Sequence, residues 1–455
     1  MGNRIVIVGG GPAGLAAGWR LAEAGRQVVI LEARSQVGGL CATVRRGDTV
    51  YDLGPHRLYT ELPELHTLLN DLLGEDIVEA PRYSQLYWRG RRWNYPLRAR
   101  ELRRGLGVIP FLTIGLELVG TLFRFGHHHG NYRQAVVARF GRTMSERLIL
   151  PMTQRTWGLL GEEISARLAD VRLPRFSGVT RLWELVRGHY GLSSIRYPRG
   201  GFGRVCTELA ERLRAAGGRV LTGARAVQFA LDGSIAEVQY LAENQIHTLE
   251  CDAVVSTMSI ADLASRLPDL DAPFDRLSFR SLAILYLRLS KPQVSTYATI
   301  YYCGDHYPFQ RLFEMKHFDR GSAPSGETII GLEFACDRGD TVWSSQEVLR
   351  KQAISILAMD GILRQAEVLD AWWEHLPDVY PQYPVGYETA LEGSLAALGS
   401  VPNLYSTGRA GLYNYANLDQ AIYMGLSVAD HILAGEPSAS WYTHSKEFSR
   451  FRIVD

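Results

Sequence analysis

An α/β fold interrupted by two inserted blocks is what the 455-residue sequence predicts. Three observations carry that expectation. The stretch "NRIVIVGGGPAGLAAGWRLAEAGRQVVILEA" sets a β-branched run, a glycine turn, a helix of apolar period and a second β-branched run into one βαβ unit. Far downstream, "CDAVVSTMS" reads as another short buried strand, and "PNLYSTGRAGLYNYANLDQAIYMGLSVADHILAG" as a strand, a loop and a helix that close the same core. Between them, residues from about 266 to 395 are rich in aromatic and β-branched runs, the signature of a separate sheet.

Bulk numbers bound the rest. A chain of this length suits two or three domains, and 46% hydrophobic with 21% charged residues is an ordinary globular balance. The formal net charge of +1 gives no whole-chain electrostatic reason to expect nucleic acid or an anionic membrane as the main partner. The basic residues are lopsided, with four lysines (Lys291, Lys316, Lys351, Lys446) among 49 lysines and arginines, which reads as coding bias. Five scattered cysteines without a C-x-x-C pair suggest neither a disulfide framework nor a zinc site, and a reduced, cytoplasmic setting is expected. The N-terminus runs straight into a strand with no signal-peptide pattern. "GLGVIPFLTIGLELVGTLF", residues 105–123, is mostly apolar, but Pro110 and Glu117 interrupt it. It therefore reads as a buried or interface helix rather than a membrane span. The histidines at 127–129 read as a solvated turn, since three in a row cannot all face one ion.

The βαβ unit names a class of ligand. Gly9 makes the tight turn, Gly11 lets backbone approach a pyrophosphate, and Gly14 lets the helix pack close. The helix N-terminus then offers free N–H groups to phosphate, and Glu32 ends the second strand where a carboxylate accepts from ribose hydroxyls. A bound dinucleotide follows. What comes next, "EARSQVGGLCAT" with Arg34, Gly38 and Gly39, resembles the extended signature of flavoproteins of the amine oxidase superfamily. The resemblance implies FAD in a Rossmann-like domain of the GR2 type, assembled from residues 1–70, 195–265 and 396–440. It also implies a mostly helical inserted domain over 71–194 and an antiparallel-sheet substrate domain over 266–395.

Within that superfamily, four segments resemble the UDP-galactopyranose mutases. "GPHRLYT" matches their glycine-proline-histidine segment near the flavin ring, with His56 on its first histidine and Tyr59 where the second would stand. "PMTQRTWG" and "ARLADVRLP" put Trp157 and Arg172 on a tryptophan and an arginine of the mutase block. "QRLFEMKHF" matches a mutase strand whose arginine, here Arg311, contacts the substrate diphosphate. "GRAGLYNYANLDQA" puts Arg409 and Asp419 on flavin-contacting positions, Tyr415 on a diphosphate-contacting tyrosine, and Asn417 where bacterial mutases often carry an acid. Tyr383 in "YPQYPVGY" adds a candidate substrate hydroxyl.

The resemblance implies a redox-neutral exchange of pyranose and furanose rings in a nucleotide sugar, opened by attack of reduced-flavin N5 on the anomeric carbon. FAD would work in its reduced form, with NAD(P)H as a candidate external reductant. His56, Arg172, Arg311 and Tyr415 are the expected catalytic residues, and Trp157, Tyr383 and Asn417 the expected substrate contacts. Two arginines from separate blocks suit a diphosphate because planar guanidinium forks pair with phosphate oxygens. A second reading of Arg311 stays open, a salt bridge to Glu314 or to another acid across the sheet. A second reading of the whole stays open too: an FAD-dependent oxidase or dehydrogenase of the amine oxidase or protoporphyrinogen oxidase type, with Lys316 as the candidate lysine near the flavin. No metal and no nucleic acid is expected; homo-oligomerisation and peripheral membrane contact are left open.

Overall fold

The computed structural model describes residues 3–81, 84–88, 90–95, 99–121, 130–173, 194–267, 270–304 and 306–453. The histidine run at 127–129 and the end of the apolar stretch lie outside the described residues. The hydrophobic run Arg4–Val8 sits at the centre of a five-stranded parallel sheet, between Gln27–Glu32 and Ala253–Ser256, with Arg219–Thr222 and Leu404–Ser406 outermost. Strands covered on both faces need continuous apolar side chains, and Ile5, Val6, Ile7, Val28, Ile30, Val254 and Val255 are all buried. The helix Pro12–Glu23 covers one face and is crossed by Leu418–Leu433, whose Gly425 is so close that a Cβ there would lie 2.1 Å from the Ala13 carbonyl oxygen. A three-stranded antiparallel sheet spans Arg225–Asp232, Ser234–Ala242 and Gln245–Glu250.

A second sheet has seven strands, ordered Val368–Pro381, Phe279–Leu289, Thr328–Cys336, Arg311–Glu314, Thr299–Cys303, Ser84–Trp88 and Arg91–Tyr95. Its neighbours are antiparallel except for Thr299–Cys303 beside Ser84–Trp88. The last two strands come from the block expected to be mostly helical, whose described residues are otherwise largely helix. In them Leu86, Trp88 and Trp93 are buried while Arg91, Arg92 and Asn94 are exposed. The pair is a half-buried hairpin at the edge of the sheet.

Two polar knots tie the blocks together. Buried Asp52 accepts from Thr43 Oγ1 at 2.5 Å, from Phe202 N at 3.0 Å and from the Tyr197 hydroxyl, joining the Thr43–Asp52 hairpin to the glycine turn after Tyr197. Burial pushes its carboxyl up to about 6, against the pull of these donors. Arg155, near the end of the Leu150–Trp157 helix, donates to four backbone carbonyls: Tyr302 (2.7 Å), Gly304 (3.0 Å), Tyr307 (2.8 Å) and Phe309 (2.9 Å). One guanidinium thereby closes the loop that leads into the Arg311 strand.

Candidate active site

The first glycine turn is shaped for close approach. Gly9 has φ +107°, and a Cβ there would fall 2.0 Å from Thr257 Oγ1; a Cβ on Gly14 would fall 2.0 Å from the Gly9 carbonyl oxygen. Gly11 faces nothing nearer than the Gly39 Cα, at 3.9 Å from where its Cβ would be. Two bare backbones therefore border a slot. The Pro12–Glu23 helix begins at Gly11 with no side-chain cap, so its first N–H groups remain available to an anion. Gly38 N donates to the Gly10 carbonyl at 2.8 Å, which fixes the second glycine turn over the first. Glu32 accepts from Gly10 N (2.7 Å) through Oε2 and from Arg34 N (2.8 Å) through Oε1, leaving lone pairs on both oxygens for ribose hydroxyls.

The same turn reaches the chemical end of the site. Leu40, next to Gly39, accepts at its carbonyl from His56 Nε2 at 3.1 Å, and the imidazole stacks on Phe202 with ring centroids 4.7 Å apart. A carbonyl only accepts, so Nε2 carries the proton. Burial first, then the nearby Arg311 and Arg409, lowers the histidine to about 4, and the ring is neutral at pH 7. Asp419, in the first turn of Leu418–Leu433, is buried with Oδ1 unpartnered, and desolvation raises its carboxyl. An uncapped helix N-terminus, a glycine-walled slot, a half-used ribose acid and this orphaned oxygen together fit a flavin dinucleotide.

Beside His56 the expected residues form an alternation of guanidiniums and rings. The Arg172 guanidinium lies 4.7 Å from the Trp157 ring centroid and 5.7 Å from that of Tyr415. Arg409 lies 4.3 Å from Tyr415 and 5.3 Å from Tyr380, and donates to the carbonyls of Val379 (2.8 Å) and Ala416 (2.9 Å). Trp157 meets Tyr415 edge-on at 6.3 Å, and its Nε1 is buried without a hydrogen-bond partner. Helix ends and one loop supply these groups: Trp157 closes Leu150–Trp157, Arg172 closes Arg167–Arg172, and Tyr415 precedes Leu418–Leu433.

Arg311 adopts the salt-bridged alternative, with an acid across the sheet, Glu333, rather than with Glu314. Its Nε and Nη2 donate to Glu333 Oε2 (2.8 Å) and Oε1 (2.7 Å) as a two-pronged fork. Glu314 points elsewhere, accepting from Val294 N, Ser295 N and Thr328 Oγ1. The cause is register: in the antiparallel pair Arg311 stands opposite Glu333, while Glu314 is three residues along the same strand and on the other face. Glu333 is 1% exposed, and its Oε1 lies 3.6 Å from where a Cβ on Gly54 would be, so the pair borders the His56 segment.

Three other expectations change character. Tyr383 (φ +52°) accepts through its hydroxyl from Tyr415 N at 2.8 Å, so it holds the Tyr415 loop from behind. Asn417 caps the Leu418–Leu433 helix in a reciprocal pair with Gln420, which engages its side chain. Lys316 donates to the carbonyls of Pro324 (2.6 Å) and Ser325 (3.3 Å) in a turn, and none of its partners belongs to the His56 cluster. Sequence reasoning missed Glu333 and Tyr380. The signal for Glu333 was available, as one acid inside the otherwise apolar strand "TIIGLEFAC".

A 113-residue segment, 24% of this chain and 21% of the relative, is 36% identical to an L-amino-acid oxidase of Crotalus adamanteus, so the match spans about a fifth of that protein. The reduced form of a UDP-galactopyranose mutase superposes over 100% of both chains with a TM-score of 0.82 at 19% identity. A protein described as a protoporphyrinogen oxidase, from Exiguobacterium sp. 255-15, covers 96% of this chain and 100% of its own at a TM-score of 0.76 and 19% identity. At such identities the likeness is one of fold. The profile of the flavin-containing amine oxidoreductases matches residues 12–433, and the chain belongs to that family of flavoproteins.

Proposed function

We propose that this flavoprotein is a nucleotide-sugar mutase that interconverts pyranose and furanose forms without net oxidation. The observation that carries the reading is the gathering of Arg172, Arg311 and Arg409 around Trp157, Tyr380 and Tyr415, beside a neutral His56. Half-buried cations favour an anion, and a nucleoside diphosphate brings two charges and the oxygen geometry that guanidinium forks match. A cationic amine substrate would meet like charge, and Lys316, the lysine an amine oxidase reading needed, is committed to a turn.

When bound, FAD supplies a nucleophilic ring nitrogen in its reduced form and a hydride acceptor in its oxidised form. Gly11, Gly39, Glu32 and Asp419 would hold it. Around it, Arg172 would pair with the diphosphate and Arg409 would contact the flavin, Tyr415 lies between the two guanidiniums, and Trp157 closes the wall. His56 holds its proton at Nε2 against the Leu40 carbonyl and keeps a polar, uncharged contact beside the flavin ring. NAD(P)H is the proposed source of reducing equivalents.

A second reading, an oxidase or dehydrogenase acting on an anionic substrate, is favoured by one feature. Glu333 already occupies the fork of Arg311 and leaves less positive charge for a diphosphate. One experiment separates the two. Dithionite-reduced holoenzyme is given UDP-galactose, and ring-isomerised product is followed by chromatography alongside oxygen and reductant consumption. The mutase reading expects product without stoichiometric reductant. Absence of UDP binding to the reduced enzyme, or steady oxygen uptake with a carboxylated substrate, would sink it.

A further inference from the structure

The helix Val108–Thr121 is apolar over most of its circumference and only half covered. On its inner side Ile114 and Leu118 are buried at 2% and 6% exposure, and Phe111 packs against the cluster that holds Leu86, Trp88 and Trp93. On the opposite side Val108, Ile109, Leu112, Leu116 and Val119 are 59%, 79%, 57%, 76% and 44% exposed. At 100° per residue these five fall within an arc of about 100°, a continuous stripe. The helix carries one charged residue, Glu117, and that carboxylate is turned inward to accept from Thr143 N (2.8 Å) and Thr143 Oγ1 (3.0 Å). The outer stripe is therefore free of charge.

Five such side chains present on the order of 500 Å² of apolar surface, at the upper end of what a monomer ordinarily leaves to water. The stripe is nevertheless short of the ~800 Å² per partner of a stable dimer. Its surroundings indicate the occupant. The preceding helix, Ala99–Leu106, anchors its Leu102 among Trp88 and Trp93 and exposes Arg103 and Arg104 one turn before the stripe. Gly107 joins the two helices, its N–H bonded to the Arg103 carbonyl at 3.1 Å. Fourteen residues make a helix of roughly 21 Å, too short for a ~30 Å hydrocarbon core. Among the described residues no helix is long and apolar enough to cross a membrane.

We propose that this stripe seats the protein on the surface of an anionic lipid bilayer, the helix lying in the interface with the apolar side chains among the acyl chains and Arg103 and Arg104 at the headgroups. The net charge of the whole chain is silent on this contact because it is local. It is independent of the reaction catalysed.

The test is vesicle flotation of the full-length holoprotein with phosphatidylcholine alone and with phosphatidylcholine containing phosphatidylglycerol. The wild type floats with the anionic vesicles. Ile109→Glu with Leu116→Glu lowers the partition coefficient by about tenfold or more, with the flavin spectrum and melting midpoint retained because both side chains are exposed. Arg103→Ala with Arg104→Ala weakens binding to the anionic vesicles by roughly fivefold per arginine at low salt and spares the apolar contribution. Failure of the wild type to float, or unchanged flotation of the double glutamate variant, overturns the proposal. So does light scattering that shows a wild-type dimer split by the same glutamates, since the stripe would then join two copies of the chain.

Discussion

At the scale of single residues, the Arg311–Glu333 fork decides the most. Breaking a largely buried pair from one side leaves an uncompensated charge, so Arg311→Ala should cost about 3–5 kcal/mol, and Arg311→Leu with Glu333→Leu much less. Urea unfolding of the three holoproteins checks this, and a single variant no worse than the double contradicts it. His56 gives a prediction in pH. Its folded-state value, near 4, is below its ordinary 6.5, so between those limits the unfolded chain binds the extra proton. Its contribution is fully present above about pH 6.5 and is lost as pH falls toward 4, at most about 3 kcal/mol. Asp52 acts oppositely: its raised value means the fold gains relative stability as pH falls from about 6 toward 4. The difference between wild type and His56→Gln, measured by thermal melting across that range, isolates the histidine. The nucleotide-binding residues were legible in the sequence because glycine spacing encodes backbone approach directly. The partner of Arg311 was not, because cross-strand register is absent from a linear pattern, and 22 residues separate Arg311 from Glu333.

At the scale of elements, the helix Leu150–Trp157 and the loop before the Arg311 strand are one mechanical unit through Arg155. Removing a guanidinium that serves four carbonyls leaves them to find water, and Arg155→Ala should destabilise by about 3 kcal/mol. Hydrogen exchange at Tyr307 and in the Arg311–Glu314 strand should accelerate, while the Arg4–Val8 strand stays protected; uniform exchange would argue against a local role. The helical reading of the apolar stretch rested on its length and its interruptions at Pro110 and Glu117, the strand readings of the first βαβ unit on β-branched runs, and the structure has a helix and strands there. The Ser84–Trp88 and Arg91–Tyr95 strands escaped notice because each is five residues long and the second is rich in arginine. Neither alternates in sequence, and their strand character shows only in their pairing with each other and with the neighbouring Thr299–Cys303 strand.

At the scale of the molecule, the parallel sheet draws its strands from residues 4 to 406, with the seven-stranded sheet made largely from chain lying between them. A flavin held by such a sheet should stabilise the whole chain. Raising free FAD to 100 times its dissociation constant should add about 2.7 kcal/mol and raise the melting midpoint, with flavin release and loss of secondary structure coinciding. Separate midpoints would mean that the blocks unfold independently. The segmented architecture could be read from the order of apolar runs, whereas the pairing of distant strands could not, since a linear pattern does not record which strands meet across some two hundred residues. That helix and its two flanking strands are complete within the first thirty-odd residues, yet the open side of Arg4–Val8 is covered only by Ala253–Ser256. At ~5–20 residues per second a ribosome needs roughly 12–50 s to supply that cover. For that interval a run of isoleucine and valine stands as a bare sheet edge on the nascent chain, a standing demand for chaperones that begins long before any flavin can bind.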